Sequence, residues 1–145
     1  MSYIRIWVHT VWATKRREPI LTDEFRPILF EHIFENAKKK DIYIDSINGY
    51  REHVHCIISL RRQQTIDKTM QLIKGESSFW TNKKYGKLTT KLNWQEEYFA
   101  VSFGESQLGL MRGYLKKQEE HHRKKSFQEE VDEFMVRYNF ARLKG

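Results

Sequence analysis

Apolar residues fall at every second position near the start of this chain, where Ile4, Ile6 and Val8 share one face of a predicted β-strand. Three more segments rich in β-branched and aromatic residues indicate further strands. Elsewhere apolar residues recur at helical spacing, and Ser126 opens a capping box with Glu129. The predicted strands are residues 4–11, 42–47, 53–60 and 98–103, and the predicted helices are residues 22–40, 65–80, 106–122 and one beginning at Ser126.

The order of these elements is strand, helix, strand, strand, helix, strand, helix, helix. Its first six members fit a split βαβ unit, which predicts an α+β fold with a ferredoxin-like antiparallel sheet. Helices would cover one face of the sheet and leave the other face open for chemistry or for nucleic acid. A chain of 145 residues suits one domain, here residues 1–145.

Composition and charge narrow the class of protein. Hydrophobic residues make up 39% of the chain, too many for intrinsic disorder. The formal charge of +7 favours a polyanionic partner such as nucleic acid or an anionic membrane surface. Cys56 is the only cysteine, so no intrachain disulfide can form. Because the sequence has neither a secretory signal nor about 18 consecutive apolar residues, we expect a cytoplasmic protein without a membrane partner.

The most specific local feature of the sequence is the histidine pair in Glu52-His53-Val54-His55. Side chains alternate along a strand, so His53 and His55 point to one face while Val54 and Cys56 point into the helix-covered core. The imidazoles are about 7 Å apart at their bases, close enough to converge on one ion. Imidazole is a good ligand for divalent metals, but two histidines on one strand also occur as structural residues.

The third predicted helix carries Tyr114 and Gln118 four residues apart, and hence on one face. Tyr114 lies on the shoulder of the apolar stripe of this helix, from which a side chain can be anchored and still reach a cleft. The preceding Gly113 would leave room around the phenol. In isolation, such a pair is usually a boundary aromatic residue beside a solvated amide.

Together the two motifs resemble those of the HUH single-tyrosine transposases of the insertion-sequence-two-hundred class. The first motif is His53-Val54-His55, and the second runs from Tyr114 to Gln118 through Leu-Lys-Lys. The resemblance covers nearly the whole chain in the order and spacing of the family. It also includes residues 9–15, 72–78, 93–103 and 118–130.

The resemblance implies a homodimer that acts on hairpins in single-stranded DNA. It implies that His53, His55 and Gln118 bind Mg²⁺ or Mn²⁺, and that Tyr114 attacks the scissile phosphate to leave a 5′-phosphotyrosine and a free 3′-hydroxyl. In the family the tyrosine helix can complete the active site of the partner subunit. Many members have Asp where this chain has Glu52, which should face away from the ligands with little consequence.

The residue types suit this chemistry. A phenol with a pKa of about 10 is a poor nucleophile at neutral pH, and a metal on a phosphate oxygen compensates by making the phosphorus more electrophilic. Three neutral ligands would leave the charge of the ion available to the phosphate. No cluster of acidic residues lies near the histidines in the sequence, which argues against a nuclease that uses water. Two imidazole ligands favour Mn²⁺ over Mg²⁺ in vitro.

Basic residues near the ends of the predicted elements are candidates for neutralising DNA phosphates. Those after the first and third strands could meet at the rim of one groove, and another lies on the second helix. The candidates are Lys15, Arg16, Arg17, Arg61, Arg62 and Lys74.

Two other functions remain open. One is a non-catalytic or domesticated relative that binds hairpin DNA or RNA on the open sheet face without cutting it. The other is a plasmid-type initiator or relaxase with the same histidine motif, although such chains are usually longer. The presence of both histidines, the tyrosine and the glutamine favours catalysis.

Overall fold

A computed structural model describes residues 1–86 and 91–140 of the chain. These ranges contain four strands and five α-helices. In chain order they are β1 (Ile6–Thr14), α1 (Phe25–Lys39), β2 (Tyr43–Gly49), β3 (His53–Leu60), α2 (Ile66–Tyr85), β4 (Trp94–Phe103), α3 (Leu108–Lys116), α4 (Gln118–Lys124) and α5 (Phe127–Arg137).

The four strands form one antiparallel sheet in the order β2-β3-β1-β4. The central strand β1 pairs with both β3 and β4, and β2 pairs with β3 at the edge. α1 connects β1 to β2, and α2 connects β3 to β4, which is the split βαβ arrangement. The predicted ferredoxin-like α+β fold is therefore confirmed.

One face of the sheet packs against α1 and α2. The alternation of β3 sends Val54, Cys56 and Ile58 to this side, where all three are fully buried, as predicted. The main partners in this core are Trp12 of β1, Leu29 and Ile33 of α1, and Met70 and Ile73 of α2.

The other face of the sheet is covered as well, so the prediction of an open face is wrong. The reason is that α3 and α5 are both amphipathic and lay their apolar stripes on this side. Leu108 and Leu115 of α3 pack with Trp7 and Ile57, while Phe127, Val131 and Phe134 of α5 pack with Val11 and Ala13.

The predicted helix 106–122 is broken into α3 and α4 at Lys117, whose ψ of 12° interrupts the regular helix. No proline or glycine stands at this position, so the sequence contains no signal for the break. The capping box at Ser126 is confirmed and begins α5 directly after α4. None of the described helices combines the length and the hydropathy that crossing a bilayer requires.

Polar contacts fix α3 on the edge strand β2. Arg112 donates hydrogen bonds to both carboxylate oxygens of Asp45. The bond from Arg112 Nε to Asp45 Oδ2 measures 2.9 Å. Asn48 donates from Nδ2 to the carbonyl oxygen of Leu115 at 2.7 Å. The register of β2 shifts beside Asp45, between Ile44 and Ser46, and such a bulge re-aims side chains. α3 is thus tied to the strand that lies directly beside the histidines.

Candidate metal centre and nucleophile

His53 and His55 lie side by side on the face of β3 that α5 covers. Both side chains are fully buried. The ring of His53 stacks on Phe127 with centroids 4.1 Å apart, and His55 meets Phe134 edge-on at 6.3 Å. The sheet and α5 together shield both imidazoles from solvent.

Two imidazoles of the site are oriented through their Nδ1 atoms. His53 Nδ1 lies 2.6 Å from Glu52 Oε1, and His122 Nδ1 lies 2.8 Å from the carbonyl oxygen of Lys125. An ionised carboxylate and a carbonyl only accept hydrogen bonds, so these contacts place a hydrogen on Nδ1, and in the neutral ring the lone pair is then on Nε2. Metal-binding histidines are commonly held in this way by a second partner.

Glu52 is therefore part of the site. Burial opposes its ionisation, but the hydrogen bond from His53 holds the pKa of the Glu52 carboxyl below its usual range. The expectation that the Glu52 side chain faces away from the histidines is wrong. Its backbone does precede the strand, but its side chain turns back to the imidazole of the next residue.

His55 has a histidine as its partner. His55 Nδ1 lies 2.8 Å from Nε2 of His9 on β1, and the two rings stack with centroids 5.0 Å apart. Burial lowers the pKa of His55 to about 4. Burial, and then the neighbouring His55, lowers the pKa of His9 to about 3. Both rings are therefore neutral at pH 7, which is the state in which imidazole binds a metal.

Glu130 of α5 points its carboxylate into the middle of the cluster and is fully buried. Its Oε1 atom lies 3.0 Å from His55 Nε2 and 3.3 Å from His122 Nε2. Burial by itself would raise the pKa of Glu130, but the contacts with His122 and His55 outweigh it and hold the pKa below its usual range. The site thus contains a charged carboxylate, whereas the sequence predicts neutral ligands only.

Gln118, at the start of α4, is also fully buried. Its Oε1 atom lies 3.2 Å from His53 Nε2, and its Nε2 atom lies 3.4 Å from Glu130 Oε2. The fold therefore brings Gln118 together with His53 and His55 although 63 positions separate Gln118 from His55 in the printed sequence.

Tyr114 lies at the boundary between the two apolar clusters of this sheet face. Its hydroxyl donates a short hydrogen bond to Glu130 Oε2. Burial, and then the charge of Glu130, raises the pKa of Tyr114 well above its ordinary value, so the phenol is protonated. The ring also borders a cavity of about 790 Å³ between α3 and α5, which is lined in addition by His9, Phe134 and Tyr138.

The arrangement of donors fits a divalent cation. One ligand atom from each of His53, His55, His122 and Glu130 lies within 4.8 Å of all the others. The Nε2 atom of His53, which carries the lone pair of the neutral ring, faces the amide oxygen of Gln118. The Nε2 atom of His122 has no hydrogen-bond partner among residues 1–86 and 91–140. Acceptors that face each other repel unless a positive charge lies between them. Imidazole nitrogens with amide and carboxylate oxygens suit divalent ions such as Mn²⁺.

Comparison with known proteins assigns this chain to a family. The sequence model described as "Transposase IS200 like" matches residues 2–118. The chain belongs to the IS200-like transposases. A relative, the ISDra2 transposase TnpA of Deinococcus radiodurans, is 24% identical over 114 residues, which make up 76% of this chain and 81% of that protein.

Two solved structures share the fold of this transposase. A candidate transposase from Deinococcus radiodurans R1 has a TM-score of 0.65 at 20% identity and aligns over 81% of this chain and 93% of its own. The REP-associated tyrosine transposase, solved bound to a REP hairpin, has a TM-score of 0.54 at 20% identity over 86% of this chain and 71% of its own. At this identity the likeness concerns the fold alone.

The basic candidates of the transposase do not lie together. β1 and β3 are antiparallel, with Ala13 opposite His53 and Ile6 opposite Leu60. Residues 15–17 therefore follow β1 at the His53 end of the sheet, and residues 61–62 follow β3 at the other end. The expectation that these two groups meet at one rim is wrong, because antiparallel neighbours have their C-terminal ends at opposite edges.

Each basic candidate has its own surroundings. Arg16 and Arg17 both have positive φ angles, 58° and 54°, which are uncommon for residues other than glycine. Arg17 also lies over the ring of Phe127 at 5.0 Å. Lys15, Arg16, Arg61 and Arg62 are exposed.

Lys74 has its amine turned to the protein. Its Nζ atom donates to the carbonyl oxygens of Gln95 and Glu96 at 2.6 and 2.8 Å, and burial lowers its pKa. Lys74 thus ties α2 to β4 in the described structure.

The sequence does not mark His9, His122 or Glu130 as site residues, and it assigns Glu52 no role there. The sequence does contain one usable signal, since His122 follows Gln118 by four residues and so shares its helix face. Nothing local marks Glu130, because it reaches the histidines only through the packing of α5 on the sheet.

Proposed function

We propose that this transposase cleaves and rejoins single-stranded DNA, with Tyr114 as the nucleophile and a divalent cation, Mg²⁺ or Mn²⁺, held by His53, His55 and Gln118. One observation carries the proposal. The tyrosine hydroxyl, the glutamine amide and the Nε2 atoms of both histidines converge on the same buried carboxylate, that of Glu130. A nucleophile and a set of cation ligands are thereby held side by side within one chain.

The proposed substrate class follows from the net charge of the chain and from its similarity to a transposase solved with a hairpin. A net charge of +7 favours a polyanion, and the REP-associated tyrosine transposase was solved with a REP hairpin. We therefore take hairpin-containing single-stranded DNA as the substrate class. In this proposal Lys15, Arg16 and Arg17 contact phosphates at the His53 end of the sheet, whereas Arg61 and Arg62 would contact DNA only beyond the opposite edge. A homodimer is the assembly that the family resemblance implies.

The reaction steps can be assigned to groups of this chain. The Tyr114 oxygen forms a bond to phosphorus and loses its proton, while the bond from phosphorus to the 3′-oxygen breaks and that oxygen gains a proton. The products are a 5′-phosphotyrosine and a free 3′-hydroxyl. A bound divalent ion supplies positive charge that makes the phosphate more electrophilic. Because the covalent ester keeps the bond energy, a 3′-hydroxyl can reverse the step and reseal the DNA without ATP.

The experiment is an adduct assay with hairpin-containing single-stranded oligonucleotides and Mn²⁺, read as a denaturant-resistant protein–DNA band. Tyr114→Phe is expected to remove the band and to leave DNA affinity within a few fold of wild type. Tyr138→Phe is the matched control, since Tyr138 borders the same cavity and should keep the band. A band that persists in Tyr114→Phe contradicts the assignment of the nucleophile, and DNA binding without any wild-type band would favour the non-catalytic relative.

A further inference from the structure

Two groups of the buried cluster come from the part of the chain that follows the family match. The match ends at residue 118, whereas His122 lies on α4 and Glu130 lies on α5. Both side chains are at most 1% exposed. Their presence beside His53 and His55 therefore depends on how this particular C-terminal segment folds back on the sheet.

His122 presents a free ligand atom to the cluster. Its Nδ1 atom donates to the carbonyl oxygen of Lys125, so in the neutral ring the lone pair is on Nε2. That Nε2 atom is buried, has no hydrogen-bond partner in the described part of the chain, and lies 3.3 Å from Glu130 Oε1. A buried acceptor that faces another acceptor costs free energy unless a cation or a proton lies between them.

Glu130 uses its two oxygens differently. Oε1 faces the imidazoles, at 3.0 Å from His55 Nε2 and 3.7 Å from His53 Nε2. Oε2 faces the helix side, where it accepts hydrogen bonds from the Tyr114 hydroxyl and from the Gln118 amide. One carboxylate thus connects the ligand atoms to the nucleophile.

We propose that His122 and Glu130 are further ligands of the divalent cation, and that the second oxygen of Glu130 positions the Tyr114 hydroxyl beside it. This inference rests on the proposed function, because it concerns the same ion. Two of the five proposed ligands, His122 on α4 and Glu130 on α5, then lie beyond the family-matched region. The packing of α5 on the sheet then becomes a condition for tight binding of the ion.

The additional ligands change the chemistry of the site. An ionised carboxylate reduces the positive charge of the complex and adds a hard oxygen donor to the amide oxygen of Gln118. Hard cations such as Mg²⁺ and Mn²⁺ prefer oxygen ligands, so this set accepts them more readily than two imidazoles and an amide would.

The test measures Mn²⁺ binding to the full chain without DNA, from the electron paramagnetic resonance signal of free Mn²⁺. Glu130→Gln keeps the shape and removes the charge. His122→Asn keeps an amide donor for the Lys125 carbonyl and removes the Nε2 ligand atom. Each variant is expected to weaken binding by about tenfold or more. Glu129→Gln is the matched control, because it makes the same change at an exposed neighbour whose capping role glutamine also fills.

Circular dichroism checks that each variant is folded before binding is compared. Wild-type affinity in either variant removes that residue from the ligand set, and tighter binding in Glu130→Gln would mean that the carboxylate competes with the ion. Failure of the proposed function is a separate outcome. A wild-type protein that binds Mn²⁺ through these residues but forms no DNA adduct would contradict the proposed cleavage of DNA and leave the ligand assignment intact.

Discussion

At the scale of single residues, two glycines next to the site have opposite physical roles. A Cβ atom on Gly49 would lie 2.2 Å from the carbonyl oxygen of His53, so only glycine fits where β2 passes the first histidine. A Cβ atom on Gly113 would meet nothing within 4 Å. Apart from its chain neighbours and its own helix, nothing packs closely enough to require glycine at position 113, and its role in leaving room around the phenol of Tyr114 stays a prediction.

These two positions give a paired prediction. Gly113→Ala is expected to raise the free energy of unfolding by up to about 1 kcal/mol, because alanine is the better residue inside a helix. Gly49→Ala is expected to lower it by about 2 kcal/mol, because the backbone beside His53 must shift. Urea unfolding of both variants tests this. A loss of stability in Gly113→Ala would show that the open space is needed after all.

At the scale of elements, the sequence predicts that four strands exist but not all of their bounds, since β1 is Ile6–Thr14 rather than 4–11 and β4 begins at Trp94 rather than at residue 98. It fails where distant elements meet. The bounds of β3 follow from its own pattern, and so does the shared face of His53 and His55. The break at Lys117 and the docking of α5 have no local signature, because both depend on packing against a sheet that is distant in sequence. For this reason Tyr114 and Gln118 could be found from spacing and resemblance, and Glu130 could not.

The contact between α3 and β2 leads to a prediction about α3, the helix that carries Tyr114. Arg112→Gln removes the paired hydrogen bonds to Asp45, whose side chain is only 5% exposed. α3 should then hold Tyr114 less firmly, so we expect adduct formation to slow by about tenfold while DNA affinity changes little. Arg123→Gln is the control, because Arg123 is exposed and forms its ion pair with Glu119 of its own helix. Equal rates in both variants would mean that this contact does not position Tyr114.

At the scale of the whole molecule, burial of neutral imidazoles makes the metal-free protein sensitive to acid. The pKa of His55 is lowered to about 4 and that of His9 to about 3. An unfolded chain takes up protons at these histidines at about pH 6.5. Between about pH 6.5 and 4 the unfolded state therefore binds more protons than the folded state, and stability is lost as the pH falls.

Unfolding of the protein in EDTA, measured at several pH values, tests this linkage. We expect the free energy of unfolding to be nearly constant from about pH 7 to 8 and to fall by a few kcal/mol from about pH 6.5 to 4.5, at about 1.4 kcal/mol for each pH unit per histidine. His55→Gln, which cannot be protonated at this position, should show a shallower fall. A flat profile over this range would mean that the two rings are not held neutral by burial.

The most direct test of the central claim is to identify the amino acid that carries the DNA. The adduct formed with Mn²⁺ and a hairpin-containing single strand is digested with nuclease and trypsin, and the modified peptide is sequenced by mass spectrometry. We predict a nucleotide phosphate on Tyr114, within the tryptic peptide of residues 113–116. A phosphate on any other residue, or cleaved DNA with no modified peptide, would contradict the account.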